Sequence, residues 1–182
     1  YAPPPGLMQV SEELGADPNR VVTFHSLSKR SNLPGLRSGF AASGEKNIKQ
    51  MKQLKAYSGA PIPEPLQHVS ASVWSDEEHV VKNRKIYEKK YKIADQIFDD
   101  FDGYFSPEAG FFLWINVGDG EKVALELWQN CGVRVLPGRY LAKDFNGQSP
   151  GDQFIRVAMV SELEETKRGL SKIREFLREK QV

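Results

Sequence analysis

The sequence contains a single cysteine, Cys131, so no internal disulfide can form, and a reducing compartment, the cytoplasm, is the expected location. Net charge is nearly absent as well. Lys and Arg number 25 against 24 Asp and Glu, a formal +1, which excludes the strongly basic surface that nucleic-acid binding requires. No apolar run approaches the roughly 20 residues of a membrane-spanning helix, and no secretory signal is visible at the start. No internal repeat or long low-complexity tract occurs, and no metal site is expected: His68 on a helix face reads as packing or solvent contact.

What is present is concentrated between Val21 and Phe40, VVTFHSLSKRSNLPGLRSGF. The β-branched and aromatic run Val21–Phe24 predicts a strand, and the Ser, Asn, Pro and Gly residues after it end the strand and expose its tip. Leu36 to Ala42 reads as a second short strand that carries Arg37 away from the turn. A lysine at such a tip, Lys29, is expected to be partly desolvated, which lowers its pKa and makes the neutral amine accessible. Taken singly, each residue has an ordinary reading. Lysines after strands are usually solvated, turn serines bond their own backbone, and strand arginines pair with carboxylates. Together Ser26, Lys29 and Arg37 place a reactive amine beside two groups suited to an anion, and a phosphate satisfies such a set. Ser26 and Lys29 also spell S-x-x-K, but the S-D-N and K-T-G partners of serine acyl-transfer enzymes are absent.

The remainder predicts alternating helices and strands, an α/β chain. Ala2 to Gly6 is stiff and irregular, and Glu45 to Tyr57 is an amphipathic helix with a solvated lysine face. A further helix spans Pro65 to Trp74. Ser75 with Glu78 forms a capping box for a long helix reaching Phe101, its stripe made of Val80, Tyr87, Tyr91, Ala94, Phe98 and Phe101. Phe111–Val117, Val133–Leu136 and Phe154–Val160 read as strands. Glu121–Asn130, with Val123, Leu127 and Trp128 inward, and a final helix capped by Ser161 and Glu164 complete the chain. A domain boundary is expected near Ser75, dividing 1–75 from 76–182.

Arg156 interrupts the apolar strand FIRVAMV, on the face shared with Phe154, Ala158 and Val160. A guanidinium there is costly to bury unless a carboxylate meets it, and in isolation a structural pair with a nearby Asp or Glu is the favoured reading. Arg139 follows Pro-Gly in GVRVLPGRY, a placement that suits either a cleft or solvent.

SLSKRSNLPGLRSG closely resembles the cofactor-lysine signature of class I/II aminotransferases, fold-type I enzymes that use pyridoxal 5′-phosphate. The resemblance implies that Lys29 forms the Schiff base with the cofactor aldehyde, and that Ser26 and Arg37 hold the cofactor phosphate. It implies that Arg156, in a matching F-x-R strand, grips the substrate carboxylate. GVRVLPGRY, with Arg134, Arg139 and Tyr140, resembles the family segment that shapes the mouth of the substrate pocket. Ser38 departs from the pattern, which usually has an apolar residue after the arginine. The family implies the C-terminal part of a large cofactor-binding domain (1–75), then a linking helix and a small α/β domain (76–182). Small-molecule amino and 2-oxo acids as substrates and a homodimer are also implied. Enzymes of this kind are about twice as long, so the chain is expected to be a fragment, and a catalytically silent one is an alternative. Within the family, HSLSKRSNLPGLRSGF, PPPGL and VLPGRYLA are most similar to N-succinyldiaminopimelate aminotransferases, with enzymes for aspartate, alanine or aromatic amino acids as the alternative.

Overall fold

A computed structural model describes residues 5–59 and 61–180, so of the irregular opening segment only Pro5 and Gly6 fall within it. The fold is α/β, and the chain divides into two compact units, Tyr1–Asn83 and Arg84–Val182.

In the first unit, α1 (Leu7–Glu13) precedes a tight turn at Pro18–Arg20, where the Asp17 carboxylate accepts from the Asn19 amide at 2.9 Å. Strand β1 (Val22–Ser26) pairs antiparallel with β2 (Gly39–Ser43), Val22 opposite Ser43 and Ser26 opposite Gly39. Between them lie the single helical turn α2 (Leu27–Arg30) and a 3₁₀ turn at Pro34–Leu36. The second strand therefore starts later than the sequence pattern predicts. Pro34 opens the 3₁₀ turn, and Arg37 ends it in the left-handed region at φ 52°, so Arg37 sits on the turn and not in the strand. Helices α3 (Glu45–Ser58) and α4 (Glu64–Ser75) follow. The apolar stripe of α3 is half-buried at Ile48 and Met51 but bare at its end, with Tyr57 88% exposed.

Helix α5 (Glu78–Ile97) is capped differently from the expected box. The Asp76 carboxylate accepts from the Glu78 amide at 2.8 Å, while the Ser75 hydroxyl donates back to the Ala71 carbonyl inside α4. It ends before Phe101 because its last turn tightens, the Phe101 amide bonding to the Phe98 carbonyl three residues earlier. The boundary between the two units falls within α5.

The second unit builds a three-stranded antiparallel sheet in the order β3 (Phe112–Asn116), β5 (Phe154–Ala158), β4 (Leu136–Pro137). Alternation sends Leu113, Ile115, Ile155 and Val157 inward, against Phe98, Leu127, Leu170, Ile173 and Leu177 from the helices. Helix α6 (Gly120–Glu126) widens into a π turn at Leu127–Cys131, and this change of period turns Trp128 outward, 49% exposed, against expectation. Gly132 then closes the helix in the left-handed region, with the Val133 amide reaching the Leu127 carbonyl. That bond commits Val133 to a helix cap, and the strand expected over Val133–Leu136 is reduced to the short β4. Helix α7 (Leu163–Lys180) lays Thr166, Leu170, Ile173 and Leu177 on the core. The Lys90 ammonium, drawn below the usual lysine range by burial, donates to the Met159 and Ser161 carbonyls at 2.8 and 2.6 Å.

Candidate active site

The site residues of the first unit are held by backbone bonds converging on two atoms. Leu27, fully buried, donates its amide to the Ser38 carbonyl at 3.1 Å. The Leu27 carbonyl in turn accepts from the amides of Ser31 and Leu33. Ser26 ends β1 and serves as the cap of α2, its Oγ accepting from the Ser28 amide at 3.2 Å and donating to the Ser38 carbonyl at 3.4 Å. Ser38, the departure from the usual pattern, is buried, and only its main-chain oxygen enters this arrangement. Ser26, Lys29 and Arg37 thus come from one loop closed on itself.

Arg37 donates from Nη1 to the Pro34 carbonyl at 2.8 Å, and no carboxylate among the described residues lies within ion-pair range of it. A left-handed backbone at a non-glycine residue costs roughly 1–2 kcal/mol, so the turn holds Arg37 in a shape that its own sequence does not favour. Lys29 is exposed, and the desolvation expected at the strand tip is not supplied by the described residues. A cation and a hydroxyl held on a rigid backbone, with no carboxylate on the guanidinium, form a set that an anion completes.

Sequence reasoning missed Arg30. Its side chain, 10% exposed, crosses to the C-terminal end of α4. There Nη1 donates to the Val73 carbonyl and Nη2 to the Trp74 carbonyl, both at 3.2 Å, and Nη2 also reaches the Asp76 carbonyl at 3.4 Å and pairs with Glu77. The guanidinium lies 5.1 Å from the Trp74 ring centre, and the same ring packs against His25 and Phe40 from β1 and β2. Val73, Trp74, Asp76 and Glu77 all lie more than forty residues along the chain from Arg30, so spacing carries no signal for them; only the last-turn carbonyls of a predicted helix, which need donors, hint at one.

In the second unit, Arg156 of β5 stands opposite Trp114 and Leu136. Its guanidinium lies 5.5 Å over the Phe112 ring, with no carboxylate in ion-pair range among the described residues, so the ordinary structural pair is not formed. The other watched residues are engaged. Arg134 stacks on Trp128 at 4.5 Å. Arg139 pairs with Asp152 at 2.8 Å, which raises its affinity for protons further. Tyr140 donates to Glu121 at 2.7 Å, a bond that raises the phenol above its ordinary range. Among the described residues no group of acidic, histidine or cysteine side chains is arranged to hold a metal, and no helix is long and apolar enough to cross a membrane.

The family model for aminotransferase class I and II matches residues 4–173. The chain belongs to the class I and II aminotransferase family. An aminotransferase from Neisseria meningitidis superposes with a TM-score of 0.91 at 36% identity, over 96% of this chain and 45% of that one. A Streptomyces rimosus 4-dedimethylamino-4-oxo-anhydrotetracycline transaminase is 28% identical over 148 residues, 81% of this chain. An LL-diaminopimelate aminotransferase of Dehalococcoides mccartyi is 25% identical over 160 residues, 85% of this chain. The chain spans 40% of the length of each of these two relatives.

Proposed function

We propose that the protein carrying this aminotransferase chain moves an amino group between an amino acid and a 2-oxo acid with pyridoxal 5′-phosphate as cofactor. The observation that carries the reading is the closed 26–38 loop, where Arg37 has no carboxylate partner and Ser26 offers a fixed hydroxyl. These residues suit the phosphate of the cofactor: a guanidinium gives a bidentate grip, and the Ser26 hydroxyl adds a bond by turning its proton from the Ser38 carbonyl, a long 3.4 Å contact, to the anion. When bound, pyridoxal phosphate supplies the electron sink for bonds broken at the substrate α-carbon. Lys29 Nζ would hold the cofactor at its aldehyde and would serve as the base that moves a proton at the substrate α-carbon. Arg156, backed by the Phe112 ring, would bind the substrate carboxylate as a bidentate pair, as the resemblance implies.

In the same reading, residues 1–75 belong to the large cofactor-binding domain and 76–182 form a linking helix and small domain, in a cytoplasmic homodimer. The substrate pair we infer is N-succinyldiaminopimelate with glutamate as its amino-group counterpart, supported by the HSLSKRSNLPGLRSGF and VLPGRYLA segments. The diaminopimelate relative favours a substrate of similar backbone.

Lys29→Ala in the full-length protein removes the borohydride-reducible adduct with pyridoxal phosphate; persistence of the cofactor's visible absorbance in that variant overturns the role of Lys29. Turnover of N-succinyldiaminopimelate with 2-oxoglutarate, compared with LL-diaminopimelate, aspartate, alanine and aromatic amino acids, decides the substrate. If the 182-residue chain alone gives no saturable, stoichiometric adduct, it is silent by itself.

A further inference from the structure

We propose that Arg30 is a positioning residue for Lys29, acting by locking the lysine-bearing turn to the end of α4. The proposal rests on the role assigned to Lys29 above. α2 is one turn long, too short to be stable on its own, so the direction of Lys29 depends on what grips the residues on either side. Before it, Ser26 and the buried Leu27 are fixed to the Ser38 carbonyl. After it, Arg30 is the anchor.

Its guanidinium meets the negative end of a helix at carbonyls that have no partner within α4, and a planar, permanently charged fork serves several of them at once. Each of its contacts also restrains the next. The Trp74 ring beneath it is held edge-on by Phe40 at 4.9 Å, so the helix end cannot slide along the strands without breaking the stack. Glu77, just beyond the helix, pairs with the outer face of the guanidinium and keeps it from swinging into solvent. Lys29 therefore stands between two anchored segments of the chain. A lysine that must first hold a cofactor and then reach a proton gains from a fixed Cα, since a displacement of about 1 Å can cost a hundredfold in rate.

The test compares Arg30→Met and Glu77→Gln with wild type in the full-length protein loaded with pyridoxal phosphate. Arg30→Met is expected to lower kcat about ten- to a hundredfold with KM for the amino acid within about twofold. It should also displace the pH midpoint of the cofactor's visible band and speed hydrogen exchange at the Ser28–Ser31 amides. Glu77→Gln, at an exposed position, should move the same readouts in the same direction by less. A lower Tm with unchanged kcat, midpoint and exchange would show that Arg30 only caps α4, and would overturn the proposal. If Arg30→Met does not fold, wild-type exchange at Ser28–Ser31 in Glu77→Gln overturns it equally. The exchange readout does not depend on the chemistry of Lys29, so failure of that reading and failure of this one are told apart.

Discussion

The two units of this chain are stabilised in different ways. The second has a core of its own, with Phe98, Leu113, Ile115, Ile155, Leu170 and Ile173 sealed between a sheet and two helices. In the first, Leu27 and Val80 are the only fully buried apolar side chains among the described residues, while Phe24, Leu14, Leu54 and Tyr57 face outward. The first unit keeps its shape through polar bonds instead: the Ser38 and Leu27 carbonyls, the Asp17 cap, and the Arg30 fork. The unit that carries Ser26, Lys29 and Arg37 is thus the one with little hydrophobic stabilisation. A site made of backbone bonds is precise but leaves apolar surface that stability requires something to cover.

The largest effect that separates the two units is expected in the second. Ile155→Ala should cost about 2–5 kcal/mol through lost burial and a residual cavity, read as a shifted denaturation midpoint of the Arg84–Val182 signals. Hydrogen exchange in the 26–38 loop should be unchanged; coupled losses in both units would erase the contrast. Next comes Gly39→Ala, because a Cβ there would lie 2.4 Å from the His25 carbonyl oxygen, backbone against backbone. A loss of about 1–3 kcal/mol is expected, with faster exchange at Leu27, whose partner carbonyl is the neighbouring residue's.

A smaller effect depends on pH. Hydrogen bonds from Arg174, then Arg178, hold the Asp100 carboxyl below the usual carboxylate range. A depressed native pKa means that its contribution is complete above about pH 4, the unfolded value, and is lost as pH falls through the lower folded one. Asp100→Asn should flatten that acid limb in the second unit and leave the first unaltered, as followed by circular dichroism between pH 5 and pH 2, roughly the range over which such a group titrates. Smallest of all, Phe24→Ser, at a site 71% exposed, should change stability by less than about 0.5 kcal/mol. It should nonetheless reduce binding of an apolar dye, since it removes part of the uncovered surface.

How much of this was legible in the sequence follows from range. Ser26, Lys29 and Arg37 lie within twelve positions, and the turn residues after the first apolar run mark the strand tip that carries Lys29. Arg156 was visible as a charge in an apolar strand. The alternating strands and helices of the second unit were also readable, because its core repeats with regular periods. What could not be read depended on local conformation or on distant partners. The left-handed Arg37 follows from a 3₁₀ turn rather than a strand, and the outward Trp128 from one π turn that shifts the helical period. Arg30 reads as a surface cation until its carbonyl partners on α4 are known. The surroundings of Lys29 are likewise beyond sequence spacing, because burial is a property of what covers a residue.

The Ser38 carbonyl, finally, bears on how this loop tolerates change. A single main-chain oxygen receives both the Ser26 hydroxyl and the Leu27 amide, and every residue type brings that oxygen. The bonds around Lys29 therefore ask nothing of the side chain at position 38, which answers instead to the space it is buried in. The neighbouring Gly39 has no such latitude, since any other side chain would collide with the facing strand. Two adjacent positions in one loop are thus constrained in different ways, Gly39 by the facing backbone and Ser38 by the packing around its side chain.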